Sequence, residues 1–190
     1  MKVYTRAGDD GTTGLLFGGR VPKDSPQPVA YGAVDEAQAM LGLARAECDA
    51  GSELDDLLVQ IGHDLYVAMA ELATLPANRS KLVAGTTLVT AEMVAGLEPI
   101  IDDLSARFEP PTEFVIPGGN RVSAALDVAR TVVRRAERVA IAAATPDSQV
   151  VPYLNRLSDL VWVLARWQEG EATRSRSVRG TDVRAEPASD

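Results

Sequence analysis

The residues best suited to chemistry in this chain are the charged groups along one predicted helix. Four arginines and a glutamate fall within nine positions: Arg130, Arg134, Arg135, Glu137 and Arg138. On a helical wheel at 100° per residue they lie opposite a broad arc of alanine, valine and leucine. Like charges four residues apart repel, whereas guanidinium groups bind phosphate oxygens through two parallel hydrogen bonds. The pattern therefore favours a polyphosphate site over the alternative, a solvated charged face.

A second chemical segment, TRAGDDGTTG, spans residues 5–14. Its glycines allow the backbone to approach a ligand closely, and its threonine hydroxyls and amides can bind oxyanions. The segment lacks the GK[ST] ending of a Walker-type loop and does not lie between a strand and a helix. Its alternative interpretation is a frayed N-terminus. Together with the arginine arc, it would form one half of a phosphate site.

Composition limits the class of protein that could carry such a site. The 190 residues are 46% hydrophobic but only 5% aromatic, which is typical of a helix bundle with an Ala, Leu and Val core. A net charge of −8 argues against a general nucleic-acid binder. The single cysteine and single histidine, Cys48 and His63, exclude a Cys-based metal site or disulfide within the chain. Without a membrane span or signal peptide, we expect a cytoplasmic protein.

Apolar residues recur at helical spacing in five segments, which must position these charged groups. The predicted helices cover about 29–48, 54–72, 90–108, 122–144 and 152–171, with Thr90 capping the third and Pro99 kinking or locally unwinding it. We therefore predict an all-α fold: a five-helix antiparallel bundle with an irregular N-terminal nucleotide-binding segment. Residues 1–171 form the domain, and 172–190 a disordered tail.

Two further polar residues interrupt apolar helix faces. Asp35, in YGAVDE, requires a partner, and an arginine of the fourth helix would serve, either within the chain or on another copy. Asn155, in YLNRLSD, lies near the start of the fifth helix, where its amide could hold a sugar or a base or could merely belong to a polar first turn.

The order of these segments is similar to that in a known family. TRAGDDGTTGLLFGG, YGAVDE, FVIPGG, RTVVRRAER and YLNRLSD follow one another over about residues 1–171. In this the chain resembles the PduO-type ATP:cob(I)alamin adenosyltransferases. The resemblance implies a homotrimer of five-helix bundles with active sites between subunits. It also implies transfer of the 5′-deoxyadenosyl group of ATP to the cobalt of cob(I)alamin, with release of triphosphate.

The resemblance assigns a nucleotide-binding role to residues from four parts of the chain. Arg134 would contact ATP, with Glu137 beside it, and Asn155 and Lys81 would make further contacts to the nucleotide. The N-terminal segment would wrap ATP and its Mg²⁺ through seven residues: Thr5, Arg6, Gly8, Asp9, Gly11, Thr12 and Thr13. No metal ligand is assigned to an individual side chain.

The resemblance also implies residues for the corrinoid and for the subunit interface. Asp35 and Arg130 would form an intersubunit ion pair, and Phe114 would keep the lower axial base away from cobalt. With Arg134, these three make up the predicted catalytic set. The chain departs from the family's usual Glu-Leu-Asn after the aspartate, since Ala37 and Gln38 follow Glu36 here. Extra prolines between residues 20 and 28 also alter the loop before the first helix.

The proposed chemistry agrees with a chain that has few acid–base or nucleophilic groups. Reduced cobalt is itself the nucleophile, so the protein must position C5′ and stabilise charge on the leaving triphosphate. A cobalamin reductase and a cobalamin-dependent mutase are candidate partners, and neither nucleic acid nor a membrane is expected. Three alternatives remain: a nucleotide-sensing bundle without turnover, a kinase-like phosphotransferase yielding ADP, and a purely structural bundle.

Overall fold

A computed structural model describes residues 4–170 and places five α-helices in an up-down series. The helices are α1 (Pro26–Ala46), α2 (Glu53–Leu72), α3 (Ala91–Ser105), α4 (Arg121–Ala140) and α5 (Val150–Glu169). A short 3₁₀ helix, Pro76–Lys81, lies between α2 and α3. The all-α bundle is thereby confirmed, while the predicted tail 172–190 lies outside the described residues. No helix in the described part is long and apolar enough to cross a membrane.

Side-chain caps explain where three of the helices begin. The Ser52 hydroxyl accepts a hydrogen bond from the Asp55 amide, and the predicted cap Thr90 accepts one from Met93 at 3.3 Å. Asn120 and Ser123 form a reciprocal capping box at the start of α4. The third helix is helical throughout, so the local unwinding predicted at Pro99 does not occur.

The central helix of the bundle is α4, which packs against both α1 and α5, while α2 covers α1 and α3 covers α5. Ion pairs agree with the directions: Arg121 at the start of α4 lies 3.9 Å from Glu47, just after α1, and Arg107, just after α3, pairs with Glu53 at the start of α2. Consecutive helices are antiparallel. We call the end where α1, α3 and α5 begin the upper end, and the end where α2 and α4 begin the lower end.

Burial on two faces explains the composition of α4. Its small and branched residues fill the space between neighbouring helices, with Leu126, Ala129, Val133 and Ala136 fully buried. In α5 the buried arc is wider, because that helix contacts three others. The apolar spacing of both helices therefore places their polar stripes side by side on the same surface.

Two local predictions were wrong. The fourth helix ends at Ala140 rather than near residue 144, because the chain turns toward Pro146, and a residue before proline avoids helical geometry. The N-terminal segment is not wholly irregular, since β1 (Thr12–Gly14) pairs antiparallel with β2 (Arg20–Pro22). The Leu16 amide donates to the Ala73 carbonyl at 2.9 Å, which attaches this hairpin to the upper end.

Candidate functional site

Polar side chains follow the junction of α4 and α5 from the upper to the lower end, and we call this strip the groove. Because the two helices are antiparallel, residues of rising number on α4 face residues of falling number on α5. Near the upper end, Asn155 Nδ2 donates to Glu137 Oε1 at 2.8 Å. Near the lower end, Arg166 pairs with Asp127. At the lower contact the groove opens into a cavity, which Asp127 and Arg166 help to line.

The four arginines of the arc differ in what they contact. Arg135 is paired with Glu36 of α1, and Arg138 Nη1 donates to the Arg134 carbonyl at 3.0 Å. Arg134 itself is exposed, and its guanidinium has no partner within residues 4–170. It is adjacent along the stripe to the Glu137–Asn155 pair. The predicted nucleotide residues of α4 and α5 therefore lie together, with an unneutralised positive charge among them.

The cavity at the lower contact has a volume of about 440 Å³ and both polar and apolar walls. One wall is the segment 112–117, which carries the predicted Phe114, and the opposite side contains Arg130 and Trp162. Phe114 is 89% exposed, an unusual state for phenylalanine in an isolated chain. Within the described residues, Glu113 Oε2 and Arg130 Nε are buried without a hydrogen-bond partner. The cavity thus offers an aromatic face and unused polar groups to a ligand.

In the N-terminal segment, contacts centre on the Thr12 hydroxyl. It donates to Asp10 Oδ1 at 2.7 Å and accepts from Arg20 Nε at 3.1 Å. Hydrogen bonds from the Thr12 hydroxyl and amide lower the pKa of Asp10 below its usual value. A Cβ on Gly8 would lie 3.1 Å from Lys23 Nζ, so glycine permits this close approach. The hairpin therefore brings two cations to the segment.

The remaining predicted nucleotide residues also lie at the upper end. Thr5 Oγ1 accepts from the Ala7 amide at 3.3 Å, and Arg6, with φ of 61°, stacks over the Tyr4 ring. Asp9 and Gly11 are exposed and Thr13 is half-buried. Lys81 ends the 3₁₀ helix, where its Nζ donates to Asn78 Oδ1 at 2.9 Å.

Our sequence analysis missed both cations of the hairpin, Arg20 and Lys23. Their signal was present in the sequence as basic residues directly after GG and VP, but only the hairpin pairing shows that they fold back onto residues 7–12. It also missed Trp162 and Arg166 of the cavity, since both fall in what reads as an apolar helix.

A buried carboxylate, Glu71, joins the parts of the upper end. Its side chain is only 2% exposed and accepts hydrogen bonds from Arg79 and Ser148, at 2.8 and 2.7 Å, and from the Val89 amide at 2.8 Å. These donors belong to the 3₁₀ helix, the turn before α5 and the strand-like approach to α3. Glu71 therefore fixes the segment that carries Lys81 relative to the helix that carries Asn155.

Asp35 and Arg130 are not paired with each other within the chain. Asp35 is exposed on α1, without a partner among the described residues, and Arg130 Nε lies 3.6 Å from Asp127 Oδ1. The arginine that α4 contributes to this part of α1 is Arg135, through Glu36. Of the two residues that resemble the family's intersubunit pair, Asp35 is thus exposed, whereas Arg130 is half-buried beside Asp127.

Proteins of known activity are similar to this chain in sequence. The sequence profile of one family, described as cobalamin adenosyltransferase, matches residues 3–168. The chain belongs to the cobalamin adenosyltransferase family. It is 44% identical over 170 residues to a corrinoid adenosyltransferase of Mycobacterium tuberculosis, covering 87% of each chain. It is 41% identical over 185 residues to a cobalamin adenosyltransferase of Cupriavidus metallidurans, covering 96% of this chain and 92% of the relative.

Solved adenosyltransferase structures have the same fold. A phenylalanine-to-histidine variant of the PduO-type ATP:corrinoid adenosyltransferase from Lactobacillus reuteri, in complex with cobalamin and ATP, aligns with a TM-score of 0.82. The two chains are 28% identical, and the alignment covers 92% of this chain and 97% of the other. An arginine-to-lysine variant of the Lactobacillus reuteri enzyme with ATP aligns with a TM-score of 0.78, at 28% identity over 90% of this chain and 99% of the other.

Within this adenosyltransferase, the two ends of the groove differ in the residues that they present. The upper end contributes the hairpin, Lys81, Arg134 and the Glu137–Asn155 pair, whereas the lower half contributes Phe114 and the cavity. None of the described residues form a group of three or more His, Cys, Asp or Glu side chains able to hold a metal ion.

Proposed function

We propose that this adenosyltransferase transfers the 5′-deoxyadenosyl group of ATP to the cobalt of cob(I)alamin, giving adenosylcobalamin and triphosphate. The observation that carries the proposal is the groove between α4 and α5. It places an unpaired arginine beside a carboxylate–amide pair at one end and an aromatic-walled cavity at the other. The corrinoid adenosyltransferases to which the chain is similar support the same assignment.

The reaction is a displacement at carbon. The electron pair of Co(I) attacks C5′ of the ribose, a Co–C bond forms, and cobalt becomes formally Co(III). The C5′–O bond breaks, and its electron pair leaves with triphosphate. No proton transfer is needed, which agrees with a site that lacks a histidine or cysteine. The protein must instead align C5′ with cobalt and stabilise the growing negative charge.

Arg134 supplies the stabilisation in this proposal. Its guanidinium is unpaired in the described residues, so binding of phosphate oxygens would not require it to leave an internal carboxylate. Glu137 and Asn155 hold each other at 2.8 Å and would orient the nucleoside beside it. The predicted N-terminal residues from Thr5 to Thr13, with Lys81, would close over the phosphates.

Mg²⁺ would be held chiefly by the triphosphate of ATP. This cation prefers oxygen ligands and commonly uses only one or two protein carboxylates together with phosphates and water. Asp10 is already bonded by Thr12 and lies 3.7 Å from Arg20, whereas Asp9 is an exposed carboxylate in the same segment. Asp9 therefore fits the ion, whose charge would neutralise the phosphates.

Phe114 and Trp162 would face the corrinoid in the lower half of the groove. The aromatic face of this wall would occupy the side of the corrinoid from which the lower axial base binds, and so would favour displacement of the base from cobalt. Loss of that ligand leaves a four-coordinate cobalt, which is easier to reduce to Co(I). A cobalamin reductase would supply the electron, and a cobalamin-dependent mutase would use the product.

Exposed groups of α1 and α2 support completion of the site by a second subunit. Asp35 lines a groove of about 420 Å³ with Gly42, Val59 and Gly62, and small residues of this kind allow helices to approach closely. Leu43 and Tyr66, on the same two helices, are 52% and 61% exposed. An interface here would pair Asp35 with Arg130 of the neighbouring subunit in a cytoplasmic homotrimer.

The test is an assay of both products. Cobalamin is reduced chemically to Co(I), ATP and Mg²⁺ are added, and the adenosylcobalamin spectrum is followed while triphosphate is measured. One triphosphate for each adenosylcobalamin is expected. Formation of ADP would indicate a phosphotransferase, and binding of both ligands without triphosphate would indicate a sensor. If ATP failed to raise the melting temperature and no product formed, the bundle would be structural.

A further inference from the structure

Three charged side chains that the reaction does not use are buried under the lower half of the groove. Arg166 is 2% exposed and Asp127 5%, and the side chain of Glu169 is fully buried. Arg166 pairs with Asp127, and its Nη1 lies 2.8 Å from Glu169 Oε2. Asp127 and Arg166 also line the cavity beneath Phe114. We call these three residues the buried triad.

One arm of the triad holds the segment that carries Phe114. The Gly119 amide donates to Glu169 Oε1 at 3.3 Å, and Asn120 Nδ2 donates to the Gln168 carbonyl at 2.7 Å. A Cβ on Gly119 would lie 2.7 Å from the Glu169 carboxyl, so the backbone rests directly on this side chain. The end of the segment 112–119 is thereby fixed to the last turn of α5.

The other arm reaches Arg130. Asp127 uses Oδ2 for Arg166 and has Oδ1 3.6 Å from Arg130 Nε, so one carboxylate connects two guanidinium groups. A continuous chain of polar contacts therefore runs from Gly119 through Glu169, Arg166 and Asp127 to Arg130. It joins the aromatic wall of the cavity to the cation on the opposite side.

Stability alone does not account for these charges. Buried ion pairs often contribute no more than apolar residues of the same volume, because their desolvation is costly. Glu169 is also in the last turn of α5, where the helix dipole disfavours a carboxylate. The buried ion pairs and the carboxylate at the end of α5 both occur beside the cavity, and no other charged side chain is buried on the described part of α5. This location indicates a positioning role.

We propose that the buried triad positions the Phe114 segment against Arg130 and thereby determines how well the enzyme uses corrinoids that carry a lower axial base. This inference rests on the proposed function. If the triad positions the wall that keeps the lower axial base from cobalt, weakening the triad should lower activity with cobalamin. The same change should have little effect on activity with cobinamide, a corrinoid that has no base to displace.

The test compares both corrinoids, each supplied as Co(II) and reduced while bound to the enzyme, in two variants of the full chain. Glu169→Ala removes the anchor of Gly119, and Gly119→Ala displaces the segment while leaving every charge in place. Since small displacements can cost large factors in rate, we expect each variant to lower kcat/KM for cobalamin about tenfold and that for cobinamide by less than about threefold. Glu169→Gln retains an acceptor for the Gly119 amide and should restore most of the cobalamin activity.

The matched control is Glu71→Gln, which alters a carboxylate equally buried but at the upper end. It should leave the ratio of kcat/KM for the two corrinoids unchanged, whatever its effect on stability. Equal losses for both corrinoids in the Glu169 and Gly119 variants, or no loss, would overturn the inference while the proposed function stands. Wild-type protein that adenosylates neither corrinoid would overturn the proposed function and this inference together.

Discussion

Arg134 differs from its neighbours on α4 because its guanidinium contacts nothing else in residues 4–170. If it stabilises the leaving triphosphate, Arg134→Ala should lower kcat/KM for adenosylcobalamin formation by at least about 100-fold, the usual effect of losing a charge-stabilising donor. Arg138→Ala is the matched control, since that side chain bonds only to the Arg134 carbonyl. Steady-state kinetics check both variants, and an Arg134→Ala enzyme with full activity would remove this residue from the mechanism.

Asp10 is a residue whose titration reports on the folded hairpin. Hydrogen bonds from Thr12 stabilise its carboxylate and lower its pKa below the ordinary 3.8. Thr12→Val keeps the shape of the side chain but removes the hydroxyl, so the pKa of Asp10 should rise toward that value. Carbon-detected NMR of the Asp10 carboxyl between pH 2 and 7 measures the shift. Identical midpoints in the two proteins would show that the hairpin contact does not persist in solution.

Among the elements, the helices were predicted best from the sequence, because apolar residues at helical spacing identify them. The apolar spacing of α2 located the helix to within one residue of Glu53–Leu72, and the Thr90 cap was correct. Strands of three residues give no periodic signal, so the hairpin was missed. The groove was predicted only in part. Arg134, Glu137 and Asn155 lie on polar stripes, whereas Asp127, which was not among the predicted site residues, is buried by a partner 39 residues away.

Because Glu71 contacts several elements of the upper end, we expect its removal to destabilise them together. Glu71→Ala would leave Arg79, Ser148 and the Val89 amide without their common acceptor. Breaking a buried pair in this way should lower the free energy of unfolding by about 3 kcal/mol. For a chain of this size, that corresponds to a fall of about 6–12 °C in Tm.

Differential scanning calorimetry would measure this change. Arg121→Ala removes an exposed pair, whose guanidinium lies 3.9 Å from Glu47, and should cost less than about 1 kcal/mol. If the Glu71→Ala and Arg121→Ala variants had the same Tm, Glu71 would not join these elements.

At the scale of the whole molecule, an ion pair between Asp35, which has no partner within residues 4–170, and Arg130 of a neighbouring subunit predicts complementation between subunits. Asp35→Arg and Arg130→Asp should each be inactive as homotrimers. In an equal mixture that exchanges subunits, each site has one chance in four of combining two unaltered residues. The mixture should therefore recover about a quarter of wild-type activity.

The mass of the assembly provides the accompanying check. Sedimentation equilibrium should give about three times the chain mass of 20.2 kDa. A monomer, or a mixture that stays inactive after subunit exchange is demonstrated, would contradict a site shared between subunits.

The antiparallel pairing of α4 and α5 has a consequence for the way in which substrates enter and products leave the enzyme. The cations proposed for the phosphates lie at the upper end of the groove and the aromatic cavity lies toward the lower end, so we expect triphosphate and the corrinoid to leave from different ends. Triphosphate can then depart without first displacing the bulky alkylated product. As an inhibitor, added triphosphate should compete with ATP alone, and the corrinoid should neither relieve nor strengthen its effect. Separate exit routes for triphosphate and the alkylated corrinoid, rather than one shared route, follow from the way in which α4 and α5 distribute their residues between the two ends of the groove.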